Sequence, residues 1–302
     1  MRVEQAEPRN IAELCSLLGY SRQSYYQRLK EKEFEALSAD LLIGEVVRIR
    51  QAQPCLGGRK LQIMLQSFMQ QHHITLGRDK LFDLLRTTGL LIKRRRSKKP
   101  QTTFSYHWFK KHPNLIEGFI PLRAGQLWVS DITYICITEH FGYLSLITDA
   151  YSRKIVGFYL SKNLAAEGCV KALKMALKQN TDRDGLIHHS DRGSQYCCVD
   201  YVDILQDEQV KISMTQTGNP LHNAIAERVN GILKMELLQT NYSDFKEASD
   251  SISAAITIYN TQRLHTSIDM LTPHEAHYLN GKLKRRWENY YSKRKEVPVQ
   301  TA

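Results

Sequence analysis

The sequence is poor in cysteine and has no long apolar run, and each shortage excludes a class of protein. Six cysteines occur among 302 residues, and no two of them form a C-x-x-C pair. We therefore expect reduced packing residues and exclude a disulfide framework. No apolar run approaches the roughly 20 residues of a membrane span. The N-terminus, MRVEQAEPRN, lacks the apolar core of a signal peptide. These absences predict a cytoplasmic protein that has no membrane partner.

Positive charge is what the sequence has in excess, and it is unevenly distributed. The formal net charge is +11. Residues 1–100 carry 19 basic and 10 acidic side chains, and residues 281–302 carry seven and two, whereas residues 101–280 carry 16 and 19. Positively charged segments bind the DNA backbone. The distribution predicts basic arms that bind double-stranded DNA and flank an acidic core.

Residue patterns divide the chain into five segments, in keeping with a length of two or three domains. The first two segments are predicted to be all helical. The predicted boundaries are 1–36 for a helix-turn-helix-like DNA-binding segment, 37–92 for a second helix-turn-helix-like domain, 93–120 for a basic linker, 121–280 for a catalytic core and 281–302 for a basic C-terminal tail.

The first segment reads as two helices separated by a turn at Gly19. Ser21 is a plausible N-cap of the second helix, and Leu14, Leu17, Leu18 and Tyr25 are the predicted packing positions. The start of the second helix could enter a major groove, and an ordinary helical hairpin is the alternative.

Six of the seven residues from 93 to 99 are basic, which predicts a linker that follows DNA phosphates. A merely solubilising linker is the alternative. The residues predicted to contact DNA in the arms and the linker are Arg22, Gln23, Arg78, Lys93, Arg94, Arg95, Arg96, Lys98 and Lys99.

The core segment reads as three strands followed by alternating helices and strands. Residues 126–138, 143–147 and 154–160 are rich in aromatic and β-branched residues and are separated by turn signals, which predicts an antiparallel meander. The later elements are predicted as a helix from 163, a strand at 186–191, a helix at 195–206, a strand at 210–213 and a long helix after 220. This order is that of the ribonuclease H-like fold, an α/β class with a mixed five-stranded sheet flanked by helices.

Three carboxylates occupy special places in this predicted core. Asp131 lies on the first strand, Asp191 ends the fourth strand and Glu227 lies on the last helix, with 59 and 35 residues between them. An acid at the C-terminal end of a strand is where α/β sheets place their chemistry. One polar face of the last helix is shared by Asn223, Glu227, Asn230 and Lys234.

These motifs carry a resemblance to a known family. The core is similar to retroviral-integrase-type catalytic domains and resembles the second-reading-frame (OrfB) transposases of the IS-three group of bacterial insertion sequences. The resemblance covers the chain from about residue 14 to residue 273. It rests on Trp128, Asp131, Thr133, Tyr134, Asp149, Ser152, Arg153, the stretch HSDRGSQY at 189–196, Asn223, Ala224, Glu227, Arg228, Tyr259, Asn260, Arg263, His265 and the stretch LTP at 271–273.

The resemblance implies a site that cuts and joins DNA with two Mg²⁺ ions, for which Mn²⁺ can substitute. Asp131, Asp191 and Glu227 are implied as catalytic residues and metal ligands, with Asp131 bridging the two ions. Carboxylates suit this role because magnesium takes hard oxygen ligands. Lys234 is implied to hold a phosphate of the element end, and an exposed helix cation is the alternative. The zinc-binding His-His-Cys-Cys module of retroviral integrases is missing.

Several other polar residues have structural interpretations. Asp149 is expected in a turn or cap role and not as a metal ligand. Asn223 is equally well interpreted as a helix cap and as a substrate contact. His188, His189 and His265 are expected to pack or form hydrogen bonds inside the core and are not predicted to be ligands.

The expected function is that of a DDE transposase acting on insertion-sequence ends and target DNA as a homo-oligomer. A non-catalytic DNA-binding regulator, or an inhibitory downstream fragment of a frameshift-fused transposase, is the alternative. A nuclease without strand transfer is a weaker one. An upstream-frame (OrfA-like) protein is a candidate partner. The expected location is the bacterial cytoplasm, with nucleoid association through DNA binding.

Overall fold

The computed structural model describes residues 10–92, 108–138, 140–216 and 223–284. The chain divides into two compact units, Met1–Ala52 with Leu56–Ile92 and Gln53–Cys55 with Lys93–Ala302. The predicted DNA contacts from Lys93 to Lys99 lie outside the described residues, as does most of the C-terminal tail. In the described ranges, no helix combines the length and the apolar character that crossing a bilayer requires.

In its described residues, the first unit contains helices and turns but no strand. Its buried core is formed where one face of a long second helix packs against two shorter helices, with Leu42, Val46, Leu61, Leu81 and Leu85 at its centre. The helices are α1 (Ile11–Leu17), α2 (Arg22–Ala52), α3 (Gly58–Met64), α4 (Gln66–Gln71) and α5 (Arg78–Thr87).

The helix α2 is uninterrupted for 31 residues because no proline occurs in it and its single glycine, Gly44, does not break it. The predicted boundary between residues 36 and 37 therefore falls inside a helix. The turn before α2 is as predicted: Gly19 has a positive φ of 70°, and the Ser21 Oγ accepts a hydrogen bond from the Ser24 backbone N–H at 3.1 Å.

The predicted packing positions in the first segment are wrong. Leu14, Leu17, Leu18 and Tyr25 are all exposed, and Leu17 is 80% exposed. The apolar spacing correctly indicates helices, but the described residues of this unit place no third element over α1 and the first half of α2. Among the α1 side chains that the structure describes, only Cys15 is buried.

The second unit contains a five-stranded mixed sheet. The strand order is β3-β2-β1-β4-β5, in which β1, β2 and β3 form the predicted antiparallel meander and β4 and β5 are parallel to β1. The strands are β1 (Leu127–Ile137), β2 (His140–Asp149), β3 (Ile155–Ser161), β4 (Ile187–Ser190) and β5 (Lys211–Met214).

Alternating side chains of β1 enter two separate cores on the two faces of the sheet. Ile135 and Ile137 pack on one face together with the last helices, whereas Trp128 and Ile132 pack on the other. The close approach of a helix to this second face requires Gly157 on β3, because a Cβ there would meet the backbone carbonyl of Ala172. Asp131 lies on the first face.

The helices of this unit cover both faces of the sheet. They are α6 (Ala166–Gln179), α7 (Ser194–Cys197), α8 (Val199–Asp207), α9 (Ala224–Ile232), α10 (Phe245–Thr261) and α11 (Pro273–Ala276). The single helix predicted at 195–206 is two helices in the structure. The long helix predicted after 220 is α9 followed by a π-helical turn at Leu233–Leu237. With these details corrected, the α/β ribonuclease H-like class predicted from the sequence is confirmed by the strand order and the flanking helices.

Candidate active site

Asp131 lies in the middle of β1 on the face that α9 covers. Its Oδ2 accepts a hydrogen bond from Asn230 Nδ2 at 2.7 Å, and its Oδ1 accepts one from the Ile132 backbone N–H at 3.0 Å. The side chain is partly buried. These two bonds fix the carboxylate while leaving lone pairs of both oxygens for other partners.

Asp191 follows the last residue of β4. Because β4 is parallel to β1, with Val129 beside His189, Asp131 and Asp191 each lie two residues beyond this last paired position. The Asp191 Oδ1 accepts a hydrogen bond from the Gly193 backbone N–H at 2.9 Å, which orients it in the loop before α7. The structure therefore brings Asp131 and Asp191 to neighbouring places.

Glu227 lies in the first turn of α9. Two asparagine side chains form hydrogen bonds that hold this helix against β1. The Asn223 Nδ2 donates to the Ser130 carbonyl at 3.0 Å, and the Asn230 Nδ2 donates to Asp131. Glu227 shares a helix face with both asparagines and lies on the order of 5 Å along the axis from each. It is exposed. The position of α9 therefore puts Glu227 next to the Asp131 part of β1.

The electrostatics of the site reflect the crowding of negative charge. Burial, followed by the negative charge of Asp191, raises the pKa of Asp131 to about 7. The charge of Glu227 acts in the same direction, while the hydrogen bond from Asn230 opposes it. A cation beside Asp131 would favour its charged form.

A divalent metal fits the donor set of the site. Three carboxylates are the hard oxygen ligands that Mg²⁺ takes. Two buried atoms in the site, Asn223 Oδ1 and Asn230 Oδ1, have no hydrogen-bond partner and could accept from metal-bound water. Among the described residues, however, no three His, Cys, Asp or Glu side chains already stand close enough to hold an ion.

Lys234 lies in the π-helical turn that follows α9. Its Nζ donates to the Thr133 Oγ1 at 3.3 Å, so its side chain reaches β1 two residues beyond Asp131. Burial lowers the pKa of this amine. The contact brings a positive charge to the part of β1 that carries Asp131.

The three histidines belong to the interior, which agrees with the sequence-based expectation. His188 shares hydrogen bonds with Ser130 and Tyr201, at 2.7 and 2.9 Å, and burial lowers its pKa to about 3. His189 contacts the Ser213 hydroxyl at 2.8 Å, and His265 contacts Arg263.

Asp149 has the turn role that was expected. It is fully buried at the end of β2 and accepts hydrogen bonds from the backbone N–H groups of Gly125, Tyr151 and Ser152 and from the Ser152 hydroxyl. These bonds hold the turn into β3 and tie it to the segment that precedes β1.

The sequence reasoning missed two supporting residues. Asn230 lies on the predicted polar face of its helix, but the sequence does not predict its bond to Asp131, which is a tertiary contact. Arg263 follows α10, which was not predicted. Its guanidinium forms a bidentate ion pair with the Glu236 carboxylate, with both N···O distances 2.9 Å. This pair anchors the π-helical turn that carries Lys234.

The predicted DNA contacts of the first unit lie on exposed surface. Arg22 and Gln23 begin α2, and Arg78 begins α5. Arg78 is paired with Asp79 at 2.9 Å, an exposed ion pair that a phosphate could replace. Their role in DNA binding stays a prediction.

We expect Asp131→Asn to stabilise the metal-free protein above pH 7. The pKa of Asp131 is raised from 3.8 to about 7 on folding, so the protein loses stability as the pH rises through this interval. Asparagine avoids this loss, which is on the order of 2–4 kcal/mol. Thermal unfolding in a chelator should show the gain at pH 8 and not near pH 4. Asp250→Asn, at an exposed position of α10, is the control; equal stabilities of Asp131→Asn and wild type at pH 8 would contradict the prediction.

Comparisons with known proteins match the core and most of the chain. An "Integrase core domain" family matches residues 121–220, and a second family of that description matches residues 208–273. The insertion element IS600 uncharacterized 31 kDa protein of Shigella sonnei is 35% identical over 265 residues, 86% of this chain and 96% of that protein. The transposase for insertion sequence element IS629 of Shigella sonnei is 28% identical over 279 residues, 89% and 92% of the two chains.

Solved structures also match the core. The HTLV-2 integrase catalytic core domain in complex with magnesium is 16% identical, with a TM-score of 0.42, and the match covers 53% of this chain and 100% of that one. The BIV integrase catalytic core domain is 18% identical, with a TM-score of 0.40, 51% of this chain and 93% of that one. The 35% identity to an insertion-element protein along nearly the whole chain, together with the two integrase-core matches and the transposase relative, shows the family: this chain belongs to the insertion-sequence transposases of the IS-three group, which have an integrase-type core.

Proposed function

We propose that this chain is a DDE transposase that cleaves insertion-sequence ends and joins them to target DNA. The observation that carries the proposal is the arrangement around β1. Asp131 and Asp191 each lie two residues beyond the paired Val129 and His189, and the helix bearing Glu227 is hydrogen-bonded to Asp131 itself through Asn230. Family membership supports DNA transposition as the process.

In this proposal Asp131, Asp191 and Glu227 hold two Mg²⁺ ions, or Mn²⁺ as a substitute. When bound, such ions stabilise the attacking and leaving oxygens of a phosphodiester. Asp131 would help to hold both ions, since the charges of Asp191 and Glu227 both act on it. Glu227 is exposed at the start of α9, so its side chain can move toward Asp131 without disturbing a packed core.

The neighbouring residues orient the acids and the DNA strand. Asn230 donates to one oxygen of Asp131 and leaves the rest of the carboxylate for the ions. Lys234, held at Thr133, binds a phosphate of the element end beside the site. The same site serves first a water molecule and then a 3′-hydroxyl as nucleophile, so no covalent bond between protein and DNA is needed.

The proposed partners are element ends and target DNA, both bound as duplexes, and further copies of this chain. An upstream-frame (OrfA-like) protein is a further candidate partner. The positive charge of residues 1–100 and of the C-terminal tail would hold the DNA backbone, since the core between them is slightly acidic.

The test is incubation of the full chain with a labelled duplex from the end of its own element, with Mg²⁺ and with a chelator. Nicked and joined products that require Mg²⁺ are expected. Nicked products without joined ones would indicate a nuclease. Binding without either product would favour the non-catalytic regulator.

Deleting residues 1–92 should weaken end binding and reduce its salt dependence. Each lost phosphate contact lowers the slope of log K against log salt concentration by roughly 0.9. Titrations of the labelled end at several salt concentrations measure this slope, with the full chain as the reference and circular dichroism to verify that the remaining unit is folded. An unchanged slope would refute the role of the basic arm.

A further inference from the structure

The strand that carries Asp131 has an open side. Within the described residues, β4 pairs with β1 only from Leu127 to Val129, whereas β2 pairs with it from Trp128 to Ile137. The backbone groups of even-numbered residues face this open side, because the Ser130 carbonyl accepts from Asn223 there and the Cys136 carbonyl accepts from the Tyr242 N–H. Tyr134 lies between these two points and presents its backbone N–H and C=O to the same side.

Three aromatic rings meet on one face of the sheet, and of these Tyr134 on β1 borders the open side, whereas Phe141 and Tyr143 lie on β2. The Tyr134 ring lies edge-on to Phe141, with centroids 5.9 Å apart, and to Tyr143, with centroids 5.2 Å apart. We call these three residues the β1–β2 aromatic cluster. Phe141 is 55% exposed, and both tyrosines are partly exposed. Exposed aromatic surface of this kind is unfavourable in water, and such apolar patches mark places where another group packs.

Helix α6 packs on the sheet face that carries the three rings, but it does not cover the β1–β2 aromatic cluster. Gly168, in the first turn of α6, packs against Ser161 and Ser145 on β3 and β2. Ser161 on β3 pairs with Tyr143 on β2. The part of the sheet that α6 covers therefore begins at the level of Tyr143 and extends away from the aromatic cluster. The sheet face beyond that level, where Phe141 lies, has a free aromatic surface.

The cluster and the candidate active site occupy the two faces of one short stretch of β1. Tyr134 is three residues from Asp131, roughly 10 Å along the strand. Thr133, next to Tyr134, receives the Lys234 amine on the opposite face. A DNA strand whose phosphate lies at Asp131 and Lys234 therefore has its neighbouring nucleotides within reach of the open side.

We propose that the β1–β2 aromatic cluster is a stacking site for an unpaired base next to the phosphate held at Asp131. This inference rests on the proposed function. Tyrosine and phenylalanine rings stack on any base, and the backbone N–H and C=O of Tyr134 are placed to bond with the edge of that base. Removing one duplex base from its partner strand in this way exposes the phosphate beside it to the acids.

The experiment is a double-mutant cycle that combines one protein substitution with one DNA modification. End duplexes with a single abasic site at each nucleotide flanking the cut are titrated, without divalent metal, against the wild type and Tyr134→Leu. One abasic position should weaken binding by the wild type by about 5- to 100-fold, the effect of one stacked base. The same position should weaken binding by Tyr134→Leu less than twofold, since this variant already lacks the ring at the open side on which the base would stack.

Matched variants separate stacking from folding. Tyr134→Phe should behave as the wild type. Tyr159→Leu, on β3 of the same sheet face but held by Lys171, should also behave as the wild type. If Tyr134→Leu fails to fold by thermal unfolding, Phe141→Ser, which removes the exposed ring, takes its place in the cycle.

The outcomes distinguish this inference from the function on which it rests. Equal abasic losses in the wild type and the variant at every position, with cleavage intact, overturn the stacking site alone. The stacking site is also overturned if Tyr159→Leu reduces the abasic loss as much as Tyr134→Leu does. A wild type that neither binds nor cuts its end duplex overturns the proposed function and the stacking site with it.

Discussion

Asp131→Asn is expected to abolish DNA cleavage and joining while leaving end binding nearly unchanged, and so are Asp191→Asn and Glu227→Gln. Each change replaces a charged ligand by a neutral amide of the same shape. The proposed two-metal site supplies several kcal/mol of transition-state stabilisation, and each 1.36 kcal/mol is a factor of ten in rate, so a loss of about 10³-fold or more follows. The measurement is product formation on a labelled end with Mg²⁺, alongside binding titrations of the same duplex.

The control for this series removes one negative charge elsewhere in the core. Asp250→Asn changes an exposed residue of α10 and should cleave at the wild-type rate. Joining retained by any one of the three acid variants would remove that acid from the mechanism. Lost binding in a variant that still folds would show that the core, and not only the basic arms, determines affinity.

Asp149→Ala is expected to destabilise the protein by about 3–5 kcal/mol. The carboxylate is fully buried and accepts from three backbone N–H groups and one hydroxyl at 2.8–3.1 Å. Alanine would leave these donors buried without partners, at about 1–3 kcal/mol each before relaxation. Urea unfolding of the full chain, followed by a probe of the second unit such as tryptophan fluorescence, measures the change.

A conservative variant tests the reason for this loss. Asp149→Asn keeps one acceptor oxygen, so its destabilisation should be clearly smaller than that of alanine. Asp250→Ala, at an exposed position, should stay within about 0.5 kcal/mol of wild type. A change of less than 1 kcal/mol for Asp149→Ala would mean that the turn into β3 does not depend on this carboxylate.

The sequence allowed most of the second unit to be predicted, because its signals are local. The β-branched and aromatic runs of β1 to β3 indicate strands through side-chain alternation. Asp131 lies on β1 as predicted, whereas β4 ends one residue before Asp191. The contact between Asn230 and Asp131 is a tertiary one, joining residues 99 positions apart, and no local pattern encodes it. The geometry of Glu227 relative to the other acids depends on that contact.

The first unit shows the opposite limit. Apolar spacing around Leu14 and Leu17 indicates which face of a helix is apolar, but it does not tell whether another element covers that face. The same limit explains the boundary placed at residue 36. Helix α2 continues through it because nothing in the local sequence ends a helix there, and only packing around Leu42 reveals where the core begins.

The continuity of α2 also fixes a length. A helix of 31 residues is about 46 Å long, since each residue adds 1.5 Å. One turn of B-DNA is about 34–36 Å. Groups at the first and last turns of this rod are thus held apart by more than one DNA repeat. A DNA footprint protected by both ends of α2 would extend beyond ten base pairs. Its length would be set by the helix and would not vary with the spacing of the bound DNA sites.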